Sequence, residues 1–205
     1  TMTVLSAGAN QHLTPADLQD MRFELASADV LLLQLEIPTD TVRFAASLAR
    51  SSGVKVILNP SPALPVSDEV LRSVSVLTPD ARQAEQLTGV RITDERTAEL
   101  AGRILLERGL DRVIITLRSF GAMVIDNGGA EHVPGYPSVS GNHTIMNDAF
   151  NGALAVALGE GNNFYQAVQF ANAAAALSAT GSAHQPAFPL RPEILSFMKT
   201  AKSSH

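Results

Sequence analysis

The 205-residue chain contains no cysteine and no tryptophan, few aromatic residues (5%) and few charged ones (17%). Without cysteine there is no disulfide, no thiolate metal site and no thiol nucleophile, and a reducing, cytoplasmic setting is the expectation. Long apolar runs are also missing. Stretches such as Val30 to Leu33 and Ala173 to Leu177 fall far short of the ~20 residues that span a bilayer. No charged segment followed by an apolar core opens the chain, so neither a membrane partner nor export is expected. Fifteen basic against twenty acidic residues give a net charge of −5, which disfavours a nucleic-acid surface. What is abundant is apolar: 45% of the residues are hydrophobic and mean hydropathy is +0.11, the composition of a folded globular chain. No shift in composition marks a boundary, so residues 1–205 are read as one domain with a frayed polar tail over 199–205.

The hydrophobic pattern alternates between strand and helix. A helix is expected from Pro15 to Ala26, capped by Thr14, then the apolar run Val30 to Leu35. A helix over Thr39 to Ser52 buries Val42, Ala45, Ala46 and Ala49 and stops at Gly53; Val54 to Leu58 reads as a strand. A short helix over Ser67 to Arg72, the run Val74 to Leu77 and a helix over Arg82 to Leu87 follow. Thr97 to Arg108 reads as a helix presenting Leu100, Ala101, Ile104 and Leu105, and Arg112 to Leu117 as a β-branched strand. Ala122 to Ile125 and Glu131 to Val133 form a hairpin around Asp126 to Gly129. Helices are expected from Asp148 to Leu158, from Phe164 to Thr180 with Gly181 as the stop, and after Pro192. Strands spaced by helices with short links predict an α/β fold, a mainly parallel sheet with helices on both faces, binding ligands beyond the carboxyl ends of its strands.

Three segments can carry chemistry at such ends. Asp148 opens the helix after Thr144-Ile145-Met146-Asn147; free first-turn amides there can hold a phosphate, and the carboxylate can take a proton from a hydroxyl or simply cap the helix. In Thr116-Leu117-Arg118-Ser119-Phe120-Gly121 the arginine can reach a phosphate or stand solvated in a turn. Thr78-Pro79-Asp80 ends a strand, and Asp80 either holds magnesium through water or caps a helix. His12, His132, His143, His184 and His205 show no zinc spacing, and no residue is assigned to a metal. No Walker-type loop and no G-x-S-x-G elbow occur.

An ordered series of segments then resembles the ribokinase (PfkB) family of sugar kinases over nearly the whole chain. It comprises Ala7-Gly8-Ala9-Asn10, Leu33-Gln34-Leu35-Glu36, Asn59-Pro60-Ser61-Pro62-Ala63, Thr78-Pro79, Glu85-Gln86-Leu87-Thr88-Gly89, Asp148-Ala149-Phe150-Asn151-Gly152-Ala153 and Phe170-Ala171-Asn172-Ala173-Ala174-Ala175-Ala176. The resemblance implies a three-layer ribokinase-like fold, ATP and Mg²⁺ as cosubstrates, a monovalent cation such as K⁺ as activator, and phosphoryl transfer to a sugar hydroxyl. Asp148 matches the family's base, and Met146 and Asn147 stand where its anion hole carries small residues. The family's Asn-x-x-Glu, which organises magnesium, appears as Asp80-Ala81-Arg82-Gln83, and its nucleotide-loop pattern survives as Thr116, Ser119 and Gly121 with Arg118 at the first glycine. Asn172 keeps a position near the adenine. Relative to the family pattern the chain begins at what looks like the middle, without the sugar-holding segment. The expectation is therefore a nucleotide-binding portion with impaired transfer, the alternative being a non-catalytic binding or interaction protein of the same descent. Self-association, or a complementing chain, is expected to cover Val30 to Leu33 and Val54 to Leu58.

Overall fold

The computed structural model describes residues 8–137, 143–179 and 188–202. After a 3-10 turn, Gly8–His12, the elements in chain order are α1 (Pro15–Asp20), α2 (Arg22–Ser27), β1 (Val30–Leu33), α3 (Thr39–Ser51), β2 (Lys55–Leu58), α4 (Asp68–Leu71), β3 (Val76–Leu77), α5 (Ala81–Thr88), α6 (Glu95–Glu107), β4 (Arg112–Thr116), a 3-10 turn Arg118–Phe120, β5 (Gly121–Asp126), β6 (Gly129–Pro134), α7 (His143–Gly159), α8 (Phe164–Ser178) and α9 (Arg191–Lys202). The six strands lie in sequence order in one sheet. β1 to β4 are parallel, and β4, β5 and β6 are antiparallel. Each crossover between parallel strands carries a helix, as that geometry requires.

Strand alternation distributes the apolar side chains between two cores. Val56, Leu58, Val113, Ile115, Met123 and Ile125 face one way, against α3 to α6; Ile57, Ile114, Ala122 and Val124 face the other, against α7 to α9. The sheet thus forms the middle of three layers. Local signals set the element ends. Thr14 and Asp17 form a reciprocal capping box at α1, and Ser67 accepts the Val70 amide at α4. Asp80 with Gln83 and Asp94 with Thr97 do the same at α5 and α6.

Several expected boundaries move. The helix expected over Pro15 to Ala26 is two, broken at Met21, and the strand expected to reach Leu35 ends at Leu33. α6 starts at Glu95, before Thr97, because Asp94 supplies the cap; its buried face is Ala98, Ala101, Gly102 and Leu105, while Leu100 is exposed. α9 starts at Arg191 with Pro192 inside its first turn, and it carries 199–202 as helix instead of a frayed tail. Val54 to Leu58 is not at an edge: β2 pairs on both sides and Val56, Ile57 and Leu58 are fully buried. β1 is the outermost strand, and Leu32 is 39% exposed. Thr180 and Gly181 lie outside the described residues. The largest correction concerns α7, which begins five residues before Asp148.

Candidate functional site

The parallel strands end at Leu33, Leu58, Leu77 and Thr116, and the chain segments that leave them gather the candidate residues. Beyond β3 and β4, Asp80 and Thr116 form a parallel bridge, with the Thr116 amide donating to the Pro79 carbonyl at 3.0 Å. A cavity of about 1180 Å³ opens there. It brings together Asp80, Thr116, Arg118, Gly121, Met146, Asn147 and Asn172 from segments far apart in sequence. Gln83, Ser119 and Asp148 do not line it.

Each absence has a physical cause. Gln83 is only 7% exposed, and its Oε1 accepts the Asp80 amide at 2.8 Å while its own amide donates to Asp80 Oδ1 at 2.7 Å. The side chain closes a capping box and presents no carboxylate. These residues therefore do not fit the magnesium-organising role that the resemblance implies. Among the described residues, no cluster of three or more histidine, aspartate or glutamate side chains is arranged to hold a metal. Ser119 is exposed on the turn, away from the lining.

Asp148 does not open its helix. It lies in the second turn of α7, where helical geometry commits its amide to a carbonyl one turn back, so residues 145–147 form helix instead of an open anion cradle. Its Oδ1 accepts Gln34 Nε2 at 3.3 Å. Desolvation holds the carboxyl above its ordinary range; the Gln34 bond opposes this and the charge of Glu36 adds to it. A raised carboxyl favours the fold while protonated, and that contribution is lost as pH rises through the raised value. Asp148→Asn is thus expected to raise the melting temperature at pH 7 and to match the parent chain near pH 4, about where an unperturbed aspartate is half protonated. A loss of stability at pH 7 in thermal unfolding would contradict this.

The remaining lining explains how the cavity is held. Asn172 is buried and its Nδ2 donates to the carbonyls of Val133 at 3.2 Å and Pro134 at 3.1 Å, tying α8 to the end of β6. Behind the strand ends, Asn59 Nδ2 donates to the Thr78 carbonyl at 2.8 Å, Thr78 Oγ1 to Asn151 Oδ1 at 2.6 Å, and Asn151 Nδ2 to the Asn147 carbonyl at 2.8 Å. This buried chain of side-chain amides and a hydroxyl fixes α7 on the sheet. Arg118 has a left-handed backbone (φ 57°) and projects into the cavity beside Phe120, whose ring is 74% exposed. Arg82 and Arg96 also line it, against the carboxylates of Asp80, Glu85, Asp94 and Glu95. Four acidic groups against three guanidiniums leave no net positive field for a polyphosphate. His132, Glu95 and Arg96 carry no sequence motif, and their place in the lining is found only through the fold.

Comparison with known proteins gives a consistent result. Residues 2–190 match the family described as pfkB family carbohydrate kinase. Ribokinase of Haemophilus influenzae is 39% identical over 198 residues, covering 97% of this chain and 65% of that protein. Among solved structures, Arabidopsis thaliana ribokinase complexed with ribose and ATP superposes with a TM-score of 0.88 at 26% identity, covering 96% of this chain and 64% of that one. Thermotoga maritima ribokinase gives a TM-score of 0.84 at 34% identity, covering 96% and 64%. The chain thus spans just under two thirds of the length of these relatives.

Proposed function

The chain belongs to the pfkB family of carbohydrate kinases, and from that premise we propose that it binds a nucleotide in the cavity beyond β3 and β4 without transferring its phosphoryl group to ribose. The observation that carries this reading is the division of the site: Thr116, Gly121 and Asn172 line the cavity, while Gln83, bonded to Asp80, and Asp148, bonded to Gln34, are not among its lining residues. The exposed ring of Phe120 and the small side chains of Ala175 and Ala176 offer an apolar wall suited to a base, as in pockets that combine aromatic surface with a few polar groups. ATP is the nucleotide proposed, since a relative of this fold was solved with ribose and ATP. The reading does not call on magnesium, because the resemblance puts the Gln83 amide where the family carries its organising carboxylate, and that amide is spent on the Asp80 cap.

Calorimetry tests the binding. ATP and adenosine are expected to bind with comparable dissociation constants, on the order of 0.1–1 mM, because the base side is furnished and the phosphate side is not. Low-micromolar ATP binding far tighter than adenosine, or no heat from either, contradicts the reading. The active alternative, a ribokinase-type transfer with Asp148 as base, draws on the carboxyl held above its usual range between Gln34 and Glu36. We further propose that the chain associates, with a second copy or a complementing chain, across the outer edge of β1, which no described strand covers. Light scattering over a dilution series is expected to give a mass above 21.7 kDa. That monomer mass at every concentration, without binding of a hydrophobic dye, would refute it.

A further inference from the structure

His132 stands on β6 at the lip of the cavity and joins two of its walls. Its Nδ1 lies 3.0 Å from Glu95 Oε1, in the first turn of α6. Its Nε2 lies 2.7 Å from the Phe120 carbonyl oxygen, in the turn between β4 and β5. Both neighbours are acceptors. A neutral imidazole has one N–H and can satisfy one of them; only the imidazolium donates to both.

We propose that His132 is a positioning residue of this cavity: charged, it clasps the turn Leu117–Gly121 to α6, and on losing its proton it releases one of the two attachments. The other hydrogen bonds of the turn run within it or to the end of β6, and none of them reaches α6. The Leu117 amide donates to the Gly121 carbonyl at 2.7 Å, the Phe120 amide to the Leu117 carbonyl at 3.2 Å, and the Gly135 amide to the Phe120 carbonyl at 3.1 Å. Within it stand the Arg118 guanidinium and the Phe120 ring, so the clasp sets where both project into the cavity. Other charges on the surrounding elements are Asp94 and Arg96 beside Glu95, Glu99 and Arg103 paired with each other one turn on, Glu131 next along β6, and Arg118 in the turn itself. Among the described residues, Glu95 alone forms an ion pair with His132. Its effect on a ligand rests on the nucleotide reading above; the clasp itself does not.

Histidine changes charge between about pH 5 and 8, so the clasp is read as a pH profile on the full chain. Amide hydrogen exchange without ligand, expressed as protection over the intrinsic rate, is expected to fall on the order of tenfold at Leu117 and Gly135 between pH 6 and pH 8.5. His132→Gln, which cannot gain a charge, should show the low protection at both values. His132→Arg, charged and multiply donating throughout, should keep the high protection at both. Glu95→Ala, which removes the acceptor of Nδ1, should show the low protection at both values, and it serves should a His132 variant not fold. Adenosine, uncharged over this range, should bind several-fold more weakly at pH 8.5 to the parent chain and with no pH dependence to the two His132 variants. Equal protection at both pH values in the parent chain, or an unchanged profile in His132→Gln, overturns the proposal. Failure of adenosine to bind while the protection profile holds would refute the nucleotide reading and leave the clasp standing.

Discussion

Gly121→Ala is expected to cost on the order of 3–5 kcal/mol and to lower the melting temperature by roughly 10–15 °C. The backbone there has φ 101°, a region that L side chains rarely adopt, and an added Cβ would meet the Val133 carbonyl oxygen at 2.1 Å and the Gly135 nitrogen at 2.4 Å. Those are backbone atoms of β6 and the segment after it, and they cannot rotate away as a side chain does. Relief requires separating β5 from β6 at their shared end, where Gly121 pairs with Pro134. The turn that bears Arg118 and Phe120 would shift with it. Gly152→Ala is the control: it lies in α7 with nothing within 4 Å of the added Cβ, and a helical alanine should be neutral or stabilising by up to about 1 kcal/mol. Thermal unfolding of the two variants checks both. Equal, small shifts would mean that the close approach at Gly121 is not what holds the turn.

How much of this could be read from the residues follows from the range of the forces involved. The continuous apolar run ending at Leu58 and the β-branched run starting at Arg112 are local signals, and they marked both strands. The cap at Thr14 and the left-handed Gly53 after α3 are equally local. The start of α7 was misread because Asp148 is a favoured capping residue, whereas the β-branched Thr144 and Ile145 before it are indifferent helix formers. In the fold Ile145, Met146 and Asn147 are half-buried. The Asn147 carbonyl is held by Asn151, itself tied to Thr78 on the sheet, so tertiary contact overrides the local preference. Asp80 and Gln83 were placed on a helix start, but only the geometry shows the amide spent on the cap. His132 could not be found by spacing, because its acceptors come from α6 and from the turn after β4.

The central claim, that a nucleotide cavity persists here without phosphoryl transfer, sets a second large effect: turnover reduced to background. Positioning and charge stabilisation supply most of the catalysis of phosphoryl transfer. In this chain the amides before Asp148 are wound into α7; the family resemblance puts Met146 and Asn147 where small residues let the phosphoryl group approach the backbone, and puts the amide of Gln83 in the place of the organising carboxylate. Met146→Ala combined with Asn147→Gly removes bulk but neither unwinds the helix nor supplies the carboxylate, so it is not expected to restore activity. The most direct measurement is a coupled assay of ribose-dependent ADP release by the 205-residue chain with ATP at millimolar concentration. No release above the ribose-free control, in the parent chain and in the double variant alike, is the predicted result; ADP release that requires ribose and is abolished by Asp148→Asn would contradict it.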